Sequence, residues 1–375
     1  MWIMDEGRFL GEHQTWNRAS QFADGLFETL VIHSGEFLAL QQHVNRMQRG
    51  CDALNLQLPE EGLKAVFESC KKTLLDESGL SNATLKLMAR RADSARGYSY
   101  ENNKMVFTAF LSASSPLSTS YYEEGVELQY CETQCSIQTQ LAGLKHLNRL
   151  ENVLARNELH GDAFEGLMMN AFGNVIEGTM SNVFFEKDGI LHTPILDVSG
   201  VEGVMRELVI QYCNRNNIEV RQYDIEKDSI TAFDSMLICN SLIGVLPVKK
   251  IEQKLFTIGS ITKSLFAAWR GGELYEEPVV VGFEKGRSLS SFFVQLERQE
   301  ILEDSRWVMV VAKLSGKARR AKAGDYQLDS TMNSLDVLTA LLKGQTVQYK
   351  ITLVEGQNIK ETLARIAAHD KLKQD

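Results

Sequence analysis

Residues 144–156, LKHLNRLENVLAR, carry the strongest local pattern in the chain. Four apolar residues repeat at the spacing of one helix face: Leu147, Leu150, Val153 and Leu154. This spacing predicts a helix over about 147–159. Lys145 lies just before that helix, at the end of an apolar run, where regular structure on both sides would hold it. Partial burial and cationic neighbours make a lysine a useful nucleophile, although a lysine at such a junction is more often a solvated surface residue.

Outward from this helix, short apolar runs alternate with turn residues. Hairpins are predicted in four places: 2–10, 29–40, 167–178 and 183–193. A second helix is predicted from Gly203 to about Asn214. Strands joined by turns rather than by regular helical crossovers indicate an α+β fold and argue against a Rossmann fold.

Two polar stretches predict domain boundaries. They are SASSPLSTS at 112–120 and GGELYEEP at 271–278. We therefore expect three parts: an N-terminal α+β subdomain (1–115), a second subdomain of the same enzyme (121–272) and a separate module (277–375).

Composition excludes several classes of protein. The net charge of -9 gives no basic surface for nucleic acid, and the start, MWIMDEGRFLGEH, is acidic where a signal peptide is basic. No apolar run approaches the roughly 20 residues that span a bilayer, so we expect a cytoplasmic protein without a membrane segment. Six cysteines without a CxxC pair and seven histidines without HExxH predict no metal site, and GxSxG is absent.

Glu177 is an acidic residue in the otherwise apolar strand NVIEG. A buried carboxylate needs a partner. It could hold the nitrogen of a pyridine cofactor protonated, or it could be an ordinary strand-end acid bound to turn amides. From the residues alone, the second interpretation is favoured.

A phosphate site is predicted around GVEGVMRE at 200–207, a glycine-punctuated loop that opens a helix. Exposed amides at a helix N-terminus bind phosphate well, although a plain turn is as common. Arg46 in HVNRM and the pair Asn240 and Ser241 could add further donors to the same phosphate.

Taken in order, these segments resemble the fold-type IV family of pyridoxal-phosphate enzymes. Six segments carry the resemblance and span nearly all of residues 1–270: FADGLFETL, HVNRM, LKHLNRLENVLAR, IEGTMSNVFF, GVEGVMRE and CNSLIGVLPV. The resemblance implies the two-subdomain fold of that family, with pyridoxal 5'-phosphate as cofactor. It also implies a homodimer with the active site near the subunit contact.

The resemblance assigns roles to particular residues. Lys145 is the catalytic lysine that bonds covalently to the cofactor, Glu177 is the partner of the pyridine nitrogen and Arg46 anchors the phosphate. The remaining cofactor contacts are the amides of Val204 and Met205, the side chain of Asn240 or Ser241, and Val201 packed against the ring.

Within the family, KHLNRLENVLAR and CNSLIGVLPV are similar to the lyase branch. This implies a carbon–oxygen lyase that eliminates pyruvate from 4-amino-4-deoxychorismate and yields p-aminobenzoate for folate synthesis. ARGYS at 95–99 also resembles the lyases, so Arg96 or Tyr98 is expected to contact a substrate carboxylate. The alternative is a fold-type IV aminotransferase of the D-amino acid or branched-chain type.

Residues 277–375 resemble the LysM-like N-terminal region of the YceG-like endolytic murein transglycosylases. That region usually follows a membrane helix and precedes a catalytic glutamate, whereas GGELYEEP is polar. We therefore expect a small α/β module without transglycosylase activity, either a truncated fusion or a retained appendage. The alternative, a peptidoglycan-binding protein defined by this tail, is less favoured.

Overall fold

The computed structural model describes residues 2–5, 8–9, 17–92, 97–275, 279–299, 301–302, 305–314, 320–328, 333–344 and 346–347. The chain divides into two compact units, Met1–Tyr275 and Glu276–Asp375. Within the described residues, every helix is too short or too polar to traverse a bilayer.

The first unit begins with a six-stranded antiparallel sheet of order β2-β1-β6-β5-β3-β4. Its strands are β1 (Trp2–Asp5), β2 (Arg8–Phe9), β3 (Gly25–His33), β4 (Glu36–Phe37), β5 (Ala83–Arg91) and β6 (Met105–Ala113). The helices of this part are α1 (Arg18–Phe22), α2 (Leu40–Ala53) and α3 (Leu63–Ser78).

Strand β3 shows how the sequence positions the site. Its side chains alternate between the core and the opposite face, as a period of two requires. Leu26 and Leu30 enter the core, Glu28 enters with them, and Phe27 and Thr29 line a cavity on the other face. The alternation therefore places a carboxylate inside the protein, where it needs polar partners.

Helix α2 packs against β3 and supplies those partners. Its buried stripe includes His43, Arg46 and Gly50. A Cβ on Gly50 would come within 2.7 Å of the Leu26 side chain, so only glycine allows this close approach.

The second sheet of the first unit has ten strands and mixed pairing. Its order is β12-β11-β10-β14-β15-β7-β8-β9-β13, with β16 on β15. The strands are β7 (Val126–Tyr130), β8 (Ala163–Met169), β9 (Asn174–Gly178), β10 (Asn182–Lys187), β11 (Ile190–Pro194), β12 (Val220–Tyr223), β13 (Ile225–Glu226), β14 (Ser235–Asn240), β15 (Gly244–Ile251) and β16 (Lys254–Leu255). The helices are α4 (Thr119–Glu124), α5 (Leu150–Asn157), α6 (Val204–Arg215) and α7 (Ser260–Gly271), with short 3₁₀ helices at Lys227–Ala232 and Glu273–Tyr275.

The predicted α+β class is confirmed, and so are the four hairpins. They are β1–β2, β3–β4, β8–β9 and β10–β11. The turn pattern did not reveal the parallel pairs β7–β8, β15–β7 and β11–β12. Helix α5 lies in the connection between β7 and β8, which is the crossover that a parallel pair needs.

Helix α5 differs from the sequence prediction in one respect. The apolar stripe that predicted it is turned outward: the side chains of Leu150, Val153 and Leu154 are 65%, 53% and 55% exposed. Only Ala155 of this helix is buried. A contiguous exposed apolar face of this kind is typical of an interaction surface.

The second unit is a small α/β module. Strand β17 (Val279–Phe283) pairs antiparallel with β18 (Gly324–Leu328). The helices are α8 (Leu289–Arg298), α9 (Arg306–Leu314) and α10 (Ser334–Lys343). Strand β18 is formed by GDYQL, α10 ends in LLK, and the segment LVEG at 353–356 lies outside the described residues.

Candidate active site

A cavity of about 470 Å³ lies in the first unit. Its volume suits a small-molecule site. It brings together seven of the residues predicted from the sequence: Arg46, Lys145, Glu177, Val201, Val204, Asn240 and Ser241. Met205 is buried in α6 behind the wall.

Lys145 is fixed through its backbone. Its carbonyl accepts a hydrogen bond from the Phe27 amide (3.0 Å), and the Leu147 amide donates to the Gly25 carbonyl (2.9 Å). The lysine segment therefore adds to the start of β3. The Lys145 Nζ lies 4.5 Å from the centre of the Phe27 ring. The backbone at Lys145 is thus held against β3, although Lys145 itself lies in neither a helix nor a strand.

The pKa of Lys145 is lowered to about 8, because the amine is buried and the Arg46 guanidinium adds to the effect. A lowered pKa increases the fraction of neutral, nucleophilic amine at neutral pH. The sequence shows that Lys145 has cationic neighbours, whereas the burial that lowers its pKa is seen only in the structure.

Arg149 braces the backbone on both sides of Lys145. Its Nε donates to the His146 carbonyl (3.0 Å) and its Nη2 to the Leu144 carbonyl (3.3 Å). The guanidinium also lines the cavity and, after burial, is the largest influence on the Glu177 carboxyl. From the sequence, Arg149 is recognisable only as one of the cationic neighbours of Lys145.

Glu177 is buried near the end of β9. Within the described residues one donor reaches it, the Val201 amide, at 2.8 Å from Oε2. Burial raises the pKa of Glu177 to about 7, and the nearby Arg149 opposes that rise. The carboxyl can therefore exchange a proton near neutral pH, which a solvated strand-end acid would not do.

Arg46 lies at another part of the cavity wall. Its Nε donates to Glu28 Oε1 at 2.7 Å, its Nη2 donates to Glu28 Oε2, and its Nη1 donates to the Glu202 carbonyl at 3.1 Å. The first turn of α6 lines the same cavity at Val204. The first bond of that helix is from the Glu207 amide to the Gly203 carbonyl, so the three preceding amides have no acceptor inside the helix.

Glu28 and His43 form a hydrogen-bonded network behind Arg46, and the residues predicted for the site from the sequence did not include them. His43 Nδ1 contacts Glu28 Oε2 at 2.6 Å, and Ser241 Oγ lies 3.3 Å from His43 Nε2. Burial lowers the pKa of His43 in spite of Glu28, so the imidazole is neutral, donates from Nδ1 and accepts the Ser241 hydroxyl at Nε2. The signal for this network was available in the alternation of β3, which places Glu28 inward.

Asn240 and Ser241 form the turn between β14 and β15. Asn240 Oδ1 accepts the amides of Leu242 (2.8 Å) and Ile243 (2.9 Å), and its Nδ2 donates to the Met180 carbonyl (3.0 Å). The Asn240 side chain therefore stabilises the turn that carries Ser241.

Of the two residues predicted to contact substrate, the structure describes Tyr98, which does not line this cavity. Tyr98 is 86% exposed and lines a separate pocket of about 300 Å³ beside Arg18, which donates to the Tyr98 carbonyl. Arg96 lies outside the described residues. Their contact with a substrate carboxylate stays a prediction.

Known proteins resemble both parts of the chain. Residues 25–251 match the family model described as amino-transferase class IV. The chain belongs to the class IV aminotransferase family. This family uses pyridoxal 5'-phosphate, and the predicted fold-type IV fold is confirmed. Residues 281–375 match the YceG-like family.

Among members of the class IV family, the chain is 37% identical to an aminodeoxychorismate lyase of Vibrio harveyi over 256 residues, which is 66% of this chain and 92% of the relative. A D-alanine aminotransferase of Bacillus licheniformis is 25% identical, covering 69% of this chain and 91% of its own. The crystal structure of 4-amino-4-deoxychorismate lyase from Pseudomonas aeruginosa aligns with a TM-score of 0.66 at 31% identity, covering 72% of this chain and 98% of that chain.

Proposed function

We propose that the chain is an aminodeoxychorismate lyase, a pyridoxal-phosphate-dependent carbon–oxygen lyase that converts 4-amino-4-deoxychorismate into p-aminobenzoate and pyruvate. One observation carries the proposal: a lysine amine, a buried carboxyl of raised pKa and an anchored arginine line one cavity. The higher identity to a lyase than to an aminotransferase favours elimination over amino transfer.

The arginine end of the cavity suits the phosphate of the cofactor. Arg46 supplies a charge that Glu28 holds in place, and the free amides of α6, including those of Val204 and Met205, supply neutral donors. A helix N-terminus with an arginine beside it is a common phosphate site. Ser241 lines the same cavity.

The carboxyl end suits the pyridine ring. Glu177 has one amide donor and a pKa of about 7, so it can keep a proton at a ring nitrogen. Val201, whose amide holds that carboxyl, also lines the cavity and is placed to pack on the ring.

The mechanism follows from these positions. When bound, pyridoxal phosphate supplies a ring that stabilises negative charge at the carbon that bears the amino group. Lys145 takes the proton from C4 of the substrate, for which its lowered pKa suits it. Departure of the enolpyruvyl group from C3 then makes the substrate ring aromatic. The enolpyruvyl group leaves as the enolate of pyruvate and becomes pyruvate on taking up a proton. Arg149 keeps the Lys145 backbone in place during the proton transfer from C4.

The test is p-aminobenzoate release from 4-amino-4-deoxychorismate by the cofactor-loaded protein, beside Lys145→Ala. A positioned base contributes about 10²–10⁴-fold, so the variant should lose at least that much. Arg221→Gln, a change in an exposed ion pair with Glu219, is the matched control and should retain the activity.

Two results would oppose the lyase. A wild-type protein that exchanges amino groups between an amino acid and a keto acid, without releasing p-aminobenzoate, would be an aminotransferase. A Lys145→Ala protein as active as wild type would contradict the role of Lys145 in the mechanism, even if p-aminobenzoate were released.

The homodimer is part of the same proposal. The outward stripe of α5, formed by Leu150, Val153 and Leu154, is exposed and apolar, and Val153 also lines the cavity. A contact through this stripe would lie beside the active site.

Light scattering on purified protein tests this contact. Leu154→Glu should convert a dimer into a monomer, because it places a charge in an apolar interface. Leu255→Glu, at a leucine that is also exposed but lies on β16, should leave the dimer intact. A monomeric wild type, or a Leu154→Glu dimer of undiminished affinity, would contradict the proposed contact.

The remaining parts of the proposal concern the division into domains and the cellular location. We propose the division into 1–115, 121–272 and 277–375, with the enzyme in the cytoplasm. The last part acts as a non-catalytic appendage, and peptidoglycan contact by it is the less favoured alternative. A protein cut after residue 275 that keeps full lyase activity would support that division of labour.

A further inference from the structure

Arg156 is a cavity residue to which the mechanism gives no role. It lies in the last turn of α5, and this helix lines the cavity with Asn152, Val153, Arg156 and Asn157. Its side chain is 42% exposed. The Arg156 side chain therefore lies at the cavity surface and is not buried in the core.

Arg156 differs from the other guanidinium groups that the described residues place on this wall, Arg46 and Arg149. Each of those two uses Nε, Nη1 and Nη2 in hydrogen bonds to the protein. Arg156 uses only Nη1, which donates to the Phe164 carbonyl (2.8 Å) and to Glu165 Oε1 (3.2 Å). Within the described part of the chain, its Nε and Nη2 have no protein acceptor.

The acceptor that holds Arg156 is itself immobile. Glu165 is fully buried on β8 and accepts hydrogen bonds from the amides of Gly166, Thr179 and Met180 and from the hydroxyls of Thr179 and Ser181. One edge of the guanidinium is therefore fixed, and a pre-organised arginine loses less entropy when it binds a ligand. Because Glu165 keeps five other donors, removal of Arg156 does not leave that carboxylate without hydrogen bonds.

Arg156 also lies at the opposite end of α5 from Arg149, the residue that braces the Lys145 backbone. Arg149, which braces Lys145, precedes it by seven residues at the start of α5, and the helical rise separates the two by about 10 Å along the axis. A substrate that has its amino group at Lys145 and extends along α5 would bring the opposite end of its ring toward Arg156.

We propose that Arg156 binds the ring carboxylate of the substrate through its free Nε and Nη2. This inference rests on the proposed function, in which the ring carries an amino group at C4 and a carboxylate at C1, on opposite sides. Nε and Nη2 form the side-on fork that matches a carboxylate. Arg156 is then a specificity residue, which selects cyclic amines that carry an acid opposite the nitrogen.

Equilibrium binding to the cofactor-loaded enzyme tests the inference without turnover. The probes are 4-aminobenzoate and its neutral amide, 4-aminobenzamide, which differ in charge at the position in question. Wild-type protein should prefer the acid. Arg156→Gln should weaken binding of the acid by ten- to a hundredfold, the usual cost of a lost charge-assisted pair, and leave the amide unchanged. Arg156→Lys keeps the charge but not the planar fork, so it should bind the acid with an affinity between those of wild type and Arg156→Gln.

Arg221→Gln is the control, because it removes an exposed guanidinium elsewhere in the same unit. It should bind both probes as wild type does. An Arg156→Gln protein that still prefers the acid, or that weakens acid and amide equally, would overturn the inference. Failure of wild type to release p-aminobenzoate would instead oppose the proposed function, whatever Arg156 does to the preference between the two probes.

Discussion

Glu28 and Glu177 are both buried carboxyls on strands of the same unit, yet their pKa values move in opposite directions. Burial would raise the pKa of Glu28, but Arg46 and His43 hold it at about 2. Among the described residues Glu177 has a single amide donor, and burial raises its pKa to about 7 although Arg149 opposes the rise. Burial is common to both, so the partners determine which carboxyl is a fixed charge and which can exchange a proton.

The largest expected effect is the loss of catalytic activity when Glu177 is replaced. Glu177→Gln keeps the shape of the side chain but cannot exchange a proton with a ring nitrogen, so we expect p-aminobenzoate release to fall by about 10²–10⁴-fold. Below pH 4.5 the stability of the cofactor-free protein should change little, since Glu177 is then neutral in the wild type as well. Activity and urea unfolding, measured on the same preparation, separate the two effects. A variant that unfolds early would show that Glu177 is structural.

Glu28→Gln should do the reverse and act mainly on stability. It leaves the Arg46 charge buried without its carboxylate, which typically costs about 3–5 kcal/mol in the free energy of unfolding. Urea denaturation measures this, with the exposed Glu123→Gln as control. A Glu28→Gln protein as stable as that control would mean that the buried ion pair contributes nothing.

The two carboxyls also predict opposite dependences of stability on pH. Glu177 binds its proton more tightly when folded, so its contribution is present below pH 4.5 and is lost as the pH rises toward 7, by up to about 3 kcal/mol. Glu28 binds its proton less tightly when folded, so its contribution is present above pH 4.5 and is lost as the pH falls toward 2. Glu177→Gln should therefore remove this negative contribution to the slope of stability against pH between 4.5 and 7, so that the stability of the cofactor-free variant falls less, or rises more, with pH than that of wild type. An unchanged slope would place the titrating group elsewhere.

The smallest effect is expected at the edge of the Glu28 network. Ser241→Ala removes the hydroxyl that donates to His43 Nε2, a neutral hydrogen bond worth about 0.5–1.5 kcal/mol. Thermal unfolding of the cofactor-free protein should show a small decrease. A loss as large as that of Glu28→Gln would indicate that the whole network depends on this hydroxyl.

The sequence predicted local features well because local chemistry sets them. The hairpins follow from turn residues between short apolar runs, and α6 follows from a glycine-punctuated start. The position of Lys145 ahead of a helix was visible for the same reason. The outward face of α5 was not, because a helical period reports that one face is apolar and leaves open what covers it.

The sequence by itself therefore determined the α+β class, the family and the order of the residues that carry the chemistry. Only the tertiary structure brought Arg46, Lys145 and Glu177 to one cavity and placed Tyr98 away from it. The same holds for the pKa values, because desolvation and charge act between segments far apart in the chain: Glu28 with Arg46, and Glu177 with Val201. Spacing along a chain predicts neighbours on one element, whereas the chemistry of this site depends on neighbours that folding supplies.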